Sequence, residues 1–287
     1  MFVEGSLDSG WGGKTSLCGM IIGTGNSADT PGTPFDGRME VAGGVTNRAG
    51  PTVVGWGVGK GTYVQNGGET YLKQDASWNL RPVAALGLGG GIGRLIVSNG
   101  TFKVANGSMF VGGCPEGEVT CYDNKSHERV AWTPAGVPAN NHDADGTLTV
   151  AGGAFSVTDE LIVGADGSGT VEMVGTEGSF TAGSLVLSNT TASVVRFVAD
   201  ASGFSPVNVT GELAVTDGAS VEVDLSGFVG SASKFRLFNF ASSGGDLESM
   251  PVTLLDANGV SRKPCQLVKS ANALDLAILS GTTIILR

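Results

Sequence analysis

The densest group of side chains that could do chemistry lies in the segment CPEGEVTCYDNKSHERVAWTPAGVPANNHDADG, which begins at residue 114. Acidic side chains, cationic side chains and a histidine lie close together in the sequence there: Asp123, Lys125, His127, Glu128 and Arg129. A glycosidase needs two carboxylates on opposite sides of a cleft, and a lyase needs a base with a cation that neutralises a uronate. One hypothesis is therefore a carbohydrate-active enzyme, a polysaccharide lyase or a glycoside hydrolase, with its site near 114–145.

Aromatic side chains in two atypical segments suggest binding without catalysis. Trp78 and Arg81 belong to QDASWNLRPVA, and Tyr122 and Trp132 belong to the longer segment. Aromatic rings on loops can stack on sugar rings or hold a partner. The alternative is that these rings pack against the side of the fold and bury apolar loop residues.

Metal and cofactor motifs are weak. NHDADG resembles the start of a calcium loop through Asp143 and Asp145, but Gly152 stands at the twelfth position, where a bidentate acid is expected. An Asp-rich turn before a strand is therefore favoured over a metal site. The glycine-rich stretch GLGGGIG precedes no helical pattern, and a phosphate loop requires one. We expect no cofactor.

Two of the four cysteines lie close enough in sequence to form a small disulfide loop. Cys114 and Cys121 have a Cys-x6-Cys spacing, which is poor for zinc. The favoured prediction is a disulfide, which is typical of an oxidising compartment, and free thiols are the alternative.

Charge and hydropathy restrict the classes of partner. The chain of 287 residues has a formal net charge of −10, which argues against binding of nucleic acid or anionic lipid. No stretch approaches the ~20 apolar residues of a membrane span. The start, MFVEGSLDSGW, has neither the basic nor the apolar region of a signal peptide.

A repeat organises most of the chain. Glycines that open alternating runs recur at spacings near 24 residues, apart from two longer intervals that contain insertions: Gly37, Gly61, Gly93, Gly146 and Gly169. Degenerate copies follow from Ser193 and Ala219. A fixed period of this length is the signature of a repeat architecture.

Within each copy the apolar residues alternate with period 2, as at Leu148 and Val150. A second apolar run closes most copies, as in LIVG from residue 161, and glycines mark the corners. Three short strands per copy predict an all-β fold, a single-stranded parallel β-helix with about 24 residues per coil. Gln65 occupies a position that is inward in the other copies. Either it is buried and hydrogen-bonded along the stack, which is the favoured interpretation, or this coil is locally shifted. The outward positions are mostly Thr, Ser, Ala, Gly and Glu, with no expected row of Asp, Arg and Lys.

The pattern GxLxVxxGxxxVxxxxLxVGxxGxG, and its variant GTYVQNGGETYL, resembles the repeats of bacterial autotransporter passenger domains and of PEP-CTERM-associated surface proteins. The similarity covers residues 16–225. It implies an exported, right-handed β-helix with an adhesive or structural role. This chain has no translocator barrel and no PEP-type sorting tail, so the resemblance leaves the export route open.

The domain organisation follows from the repeat. We expect β-helix coils over 1–225, with insertions at about 74–84 and 114–145, and degenerate coils or a C-terminal β cap over 226–287. The chain starts near the middle of a coil, so a fragment of a longer protein is expected. The sequence thus favours a non-catalytic, glycine-rich protein, secreted or at the outer cell surface, that binds an extracellular glycan or a host or matrix surface.

Overall fold

The computed structural model shows an all-β solenoid made of stacked parallel coils. It describes residues 2–4, 7–8, 20–24, 26–27, 30–31, 36–49, 52–73, 83–114, 120–123, 128–131, 143–188, 192–216, 218–256, 259–260 and 264–279. In these residues no helix is long and apolar enough to cross a membrane. The predicted parallel β-helix is therefore confirmed.

Each coil contributes one strand to each of three faces, which we call the first, second and third face. The first face carries the runs that open with glycine. Its strands, in stacking order, are Asp36–Val41, the first parts of Lys60–Lys73 and Ile92–Ala105, then Ala144–Val150, Gly167–Val174, Ala192–Val198, Ala219–Asp224 and Val252–Asp256.

The second face follows in each coil after a corner. It consists of Val45–Ala49, the second parts of Lys60–Lys73 and Ile92–Ala105, and the first parts or middle of Ala154–Val163, Ser179–Leu187, Val207–Val215 and Lys234–Gly244. Lys60–Lys73 and Ile92–Ala105 thus run unbroken around this corner.

The third face closes each coil. It consists of Met20–Thr24, Thr52–Trp56, Ala84–Leu88, Met109–Val111 and the last parts of Ala154–Val163, Ser179–Leu187, Val207–Val215 and Lys234–Gly244.

The stacking register matches the alignment of the repeats. Gly93 pairs with Gly61 on one side and with Gly146 on the other, and Gly169, Ser193 and Ala219 continue the same row. Side chains alternate along a strand, so this register places the equivalent alternating apolar residues of successive copies inside the tube. Leu95, Val97, Leu148, Val150, Val171 and Met173 are all buried.

An aromatic row fills the interior beneath the second face. Phe102 and Phe155 have ring centroids 6.0 Å apart, and Phe155 and Phe180 have centroids 5.0 Å apart. Tyr63 meets the edge of this row, with its ring centroid 5.3 Å from that of Phe102. Such pairs add about 0.5–1.5 kcal/mol each beyond the burial of their area.

One polar cluster interrupts the apolar interior. Gln65 is fully buried; its amide nitrogen donates to the Gly67 carbonyl at 2.6 Å, and its oxygen accepts from the Thr70 hydroxyl at 2.7 Å. The hydroxyls of Thr70 and Tyr63 lie 2.7 Å apart in a further hydrogen bond. The prediction that Gln65 is buried and hydrogen-bonded is confirmed, but these partners lie in its own coil, across the corner, rather than along the stack.

The corner between the third and first faces is built from two rows of glycine. A Cβ on Gly93 would overlap the Val54 carbonyl oxygen and the Gly87 amide nitrogen, although Gly93 itself has no positive φ. Gly87, at the end of the preceding third-face strand, has φ +70°. The first-face row, which contains Gly93, therefore needs glycine because there is no space for a Cβ. The third-face row, which contains Gly87, needs glycine for its positive φ as well.

The third face is buried on both sides in part of the stack. Inward residues such as Ile22 and Val54 belong to the main core. The outward residues of the same strands form a second buried cluster: Ile21, Val53, Ala85 and Phe110, together with Trp56, Leu88, Cys114 and Ala165. Strands buried on two sides read as continuous apolar runs, and this explains MIIG and TVVG.

Antiparallel strands meet both ends of the stack. Phe2–Glu4 pairs with Asp36–Val41 in the first face, and Leu7–Asp8 pairs with Met20–Thr24 in the third. At the other end, Ala273–Ile278 pairs with Lys234–Gly244.

Further elements surround that C-terminal end. Cys265–Ser270 forms a hairpin with Ala273–Ile278, and Gly259–Val260 pairs antiparallel with Val252–Asp256. A 3₁₀ turn spans Leu247–Ser249. The C-terminal β cap thus begins with strands that continue the coils and ends with antiparallel strands, which removes an open sheet edge.

A buried carboxylate ties the cap to the coils. Asp275 is 2% exposed and accepts from Lys234 at 2.9 Å and from the Arg236 guanidinium. Burial acts to raise the pKa of Asp275, but the hydrogen bonds and charges of Lys234 and Arg236 outweigh it and lower the pKa below its ordinary value.

We predict that Gly93→Ala destabilises the stack by more than about 2 kcal/mol, because backbone atoms rather than flexible side chains meet the new Cβ. Gly43→Ala is the matched control, since a Cβ there has no atom within 4 Å. Urea unfolding followed by circular dichroism measures both. Equal midpoints for the two variants would show that the glycine row has no steric role.

We predict that Asp275→Asn lowers the free energy of unfolding by about 1.5–3 kcal/mol near neutral pH, because charge-assisted hydrogen bonds are lost. The folded pKa is depressed, so this stability is present above the unfolded pKa of about 3.9 and disappears as pH falls through the folded pKa. Unfolding curves between pH 2 and 7 check this. The exposed Asp246, which makes no capping hydrogen bond, is the control as Asp246→Asn; a difference from wild type that does not vary with pH would contradict the assignment.

Candidate functional site

The sequence-predicted binding residues lie mostly beyond the described part of the chain. Trp78, Arg81 and Trp132 fall outside the described residues. Tyr122 lies on the strand Thr120–Asp123, whose side chains are outside the description. The sugar-binding role of all four stays a prediction.

The long insertion contains its own hairpin. Thr120–Asp123 pairs antiparallel with Glu128–Ala131, so that Tyr122 stands opposite Arg129. This two-stranded sheet is separate from the solenoid sheet. The insertion leaves the third face at Cys114 and rejoins the first face at Ala144.

The structure describes the side chain of only one cysteine of the predicted disulfide, Cys114. Cys114 is 4% exposed and lies in the second cluster, beside the outward side of the third face. The side chain of Cys121 is outside the described residues, so the pairing remains a prediction.

The weak metal candidates Asp143 and Asp145 lie where the insertion ends. Asp143 is exposed, and the Asp145 amide donates to the Gly91 carbonyl at 3.0 Å in the stack. Over the residues that the structure describes, no group of three or more His, Cys, Asp or Glu side chains is placed to hold a metal ion.

The outward side of the first face carries three parallel rows of side chains that run along the stack. The row nearest the third face contains Asp36, Lys60, Ile92, Asp145 and Ser168; the next contains Arg38, Thr62, Arg94, Thr147 and Thr170; the last contains Glu40, Val64, Ile96, Thr149, Glu172, Arg196 and Glu222. Register alone places these residues side by side at one strand spacing, about 4.8 Å.

A groove of about 540 Å³ opens in the first two rows, at the N-terminal end of the stack. Its walls combine three cationic side chains, one acidic side chain and a glycine floor: Arg38, Lys60, Arg94, Asp36, Gly37 and Gly61, with Thr62 and Ile92. Asp145, where the long insertion has just rejoined the stack, pairs with Ile92 and so lies one strand from the groove.

The cations of this groove differ in their partners. Arg38 lies 3.3 Å from the Glu40 carboxylate, in an exposed ion pair. Lys60 and Arg94 are exposed, and within the described ranges neither forms an ion pair or a side-chain hydrogen bond. The groove therefore offers two cationic groups to an anionic ligand.

Farther along the same face the carboxylates are neutralised. Arg196 lies between Glu172 and Glu222, with N–O distances of 3.5 Å and 2.6 Å respectively. Thr149 donates to Glu172 at 3.0 Å. Burial acts to lower the pKa of Arg196, but the two glutamates raise it above its ordinary value. These side chains form a structural ladder, because each acid is held by a neighbouring coil.

A second groove, of about 630 Å³, lies where the second face meets the cap. Its walls include three asparagine amides: Asn239 donates to Asn208 at 2.8 Å and accepts from Arg236 at 2.7 Å, and Asn272 donates to the Phe240 carbonyl at 3.3 Å. Because these amides bond to one another and to backbone, they join the cap to the coils.

Sequence reasoning expected no outward row of Asp, Arg and Lys, and it missed the cations that the stack brings together at its N-terminal end. Arg38 and Arg94 share a row with Thr62 between them, and Lys60 stands in the adjacent row. The signal was present in the aligned copies GRMEV, GTYVQ and GRLIV, whose second position reads Arg, Thr, Arg.

Comparison of the chain with models of protein families, with curated proteins and with solved structures finds no significant match.

We predict that Arg196→Met lowers the free energy of unfolding by about 1 kcal/mol at low salt, because two carboxylates lose the charge between them. The loss should shrink in about 1 M salt, where screening is strong. Arg94→Met, on the same face without a described ion pair, is the control and should change stability by less than half as much. Equal losses for both variants, measured by urea unfolding, would contradict the ladder.

Proposed function

We propose that the chain is a non-catalytic β-solenoid that acts outside the cell in adhesion or as a scaffold. The observation that carries the proposal is the first face, where equivalent side chains from successive coils form straight rows at one strand spacing. Stacked repeats create extended, rigid surfaces of this kind, which bind long partners rather than enclose small ones.

The arrangement of carboxylates supports the non-catalytic part of the proposal. Glu172 and Glu222 come from different coils on one face, as a glycosidase pair would, but Arg196 lies between them. A glycosidase pair has to face its substrate across an open cleft. Arg196 instead occupies the space between the two acids, within 3.5 Å of Glu172 and 2.6 Å of Glu222.

The extracellular part of the proposal has separate support. The repeat pattern resembles those of exported bacterial surface proteins, and Cys114 and Cys121 have the spacing of a small disulfide loop. The proposed partners are extracellular glycans or a host or matrix surface. A further domain in a longer chain is compatible with this role.

We predict that the purified chain is retained by at least one class of polysaccharide and releases no product from it. A glycan array and affinity electrophoresis measure retention; assays of reducing ends and of unsaturated uronates measure cleavage. Retention without product is expected, because Glu172 and Glu222, the two acids from different coils, are both held in ion pairs with Arg196.

The alternative enzyme, with its site near 114–145, predicts the opposite. Product that disappears when residues 116–141 are replaced by a short Gly-Ser linker would contradict the non-catalytic proposal. The replacement leaves Cys114 in its buried cluster, so an unchanged unfolding midpoint verifies that the stack is intact. Absence of retention by every glycan and matrix surface would equally contradict the proposal.

A further inference from the structure

The groove on the first face has a spacing of cations that suits a repeating anion. Arg38, Thr62 and Arg94 occupy equivalent positions on three successive coils. Two strand spacings therefore separate the arginines, about 10 Å along the stack. This is close to the length of one disaccharide unit in an extended polysaccharide, so acidic groups on alternate sugars would meet both cations.

The electrostatics of the groove favour an anion despite the acidity of the whole chain. The formal net charge is −10, yet the groove walls hold three cationic side chains and one acidic side chain. Within the described ranges, Lys60 and Arg94 have no carboxylate partner to displace. A guanidinium binds carboxylate or sulfate through two parallel hydrogen bonds, and this geometry adds specificity to the charge.

The surroundings of the cations suit a sugar chain. Beyond Arg94 the same row continues with the hydroxyl groups of Thr147 and Thr170, toward which a polymer lying along the stack would extend. Hydroxyl side chains in line with the cations match the mixture of hydroxyl and acidic groups on an acidic sugar.

We propose that this groove binds a carboxylated or sulfated polysaccharide that lies along the axis of the stack. Arg94 and Arg38 bind acidic groups on alternate sugars, Lys60 supplies a further cation from the adjacent row, and the threonines of the arginine row bind hydroxyls. The inference rests on the proposed function and names its ligand class. A nucleic acid is disfavoured because affinity for a polyphosphate depends on neutralising many charges, and the groove supplies few.

The test compares two double variants with the same change in net charge. Lys60→Gln with Arg94→Gln removes two of the three cations of the groove; Lys73→Gln with Lys269→Gln removes two exposed cations elsewhere. Binding of the full chain is measured by surface plasmon resonance on immobilised polygalacturonate, heparin, neutral dextran and single-stranded DNA. All four positions are exposed, so unchanged unfolding midpoints should accompany the measurements.

We expect the groove variant to bind polygalacturonate or heparin about tenfold more weakly, which corresponds to about 1.4 kcal/mol, with a smaller dependence on salt. The control variant should remain within about twofold of wild type. Equal weakening of both variants would mean that charge acts without a site and would overturn the inference. A larger effect on DNA than on either acidic polysaccharide would overturn it as well.

The remaining outcomes separate this inference from the proposed function. Retention of wild type by dextran but by neither acidic polysaccharide overturns the acidic ligand and leaves the adhesive role intact. Cleavage of either polysaccharide contradicts the non-catalytic role, whatever the groove variants do.

Discussion

The stacking register is the constraint on which the rest of the structure depends. Each strand hydrogen-bonds to its equivalent in the next coil, so the side of the sheet that a residue occupies is repeated from coil to coil. At the corner between the third and first faces, the backbones approach so closely that Gly61 and Gly93 have no room for a Cβ. A slip of one residue would place a side chain in that space and would also turn the apolar positions outward.

This corner changes its chemistry along the stack. From Gly37 to Gly169 the first-face row is glycine, but Ser193 and Ala219 continue it. Ser193 is fully buried and its hydroxyl donates to the Ser188 carbonyl, so a small polar side chain fills the corner there. The groove and both insertions belong to the glycine-cornered part, where the bare backbone of Gly37 and Gly61 also forms the groove floor.

Much of this architecture was predictable because it is periodic. Alternation placed Leu148 and Val150 inside, and the spacing of the opening glycines gave the register between coils. The antiparallel strand Phe2–Glu4 was missed, because three residues carry no periodic signal. The second cluster was also missed; a run such as TVVG shows that a strand is apolar on both sides but not which neighbours cover it.

The candidate site was harder to predict because its residues occupy equivalent positions in different coils. They are not close together in the sequence of any one coil. Arg38 and Arg94 are 56 positions apart in the chain (94 − 38), and a single copy of the repeat shows one isolated arginine. They share a row because Thr62 pairs with both. Candidates chosen by local density, such as Tyr122 and its neighbours, come from an insertion, and their side chains lie outside the described residues, so they stay predictions.

The distribution of charge on the first face also depends on which residues occupy equivalent positions on successive coils. Glu172 and Arg196 carry opposite charges on successive coils, and the stack pairs them and leaves little charge for a ligand. Where an uncharged residue intervenes, as Thr62 does between two arginines, the cations are too far apart to repel strongly in water and have no acid between them. The row of Glu172 and Arg196 therefore stabilises the coils, whereas Arg94, which has no ion pair within the described ranges, keeps its charge for a partner.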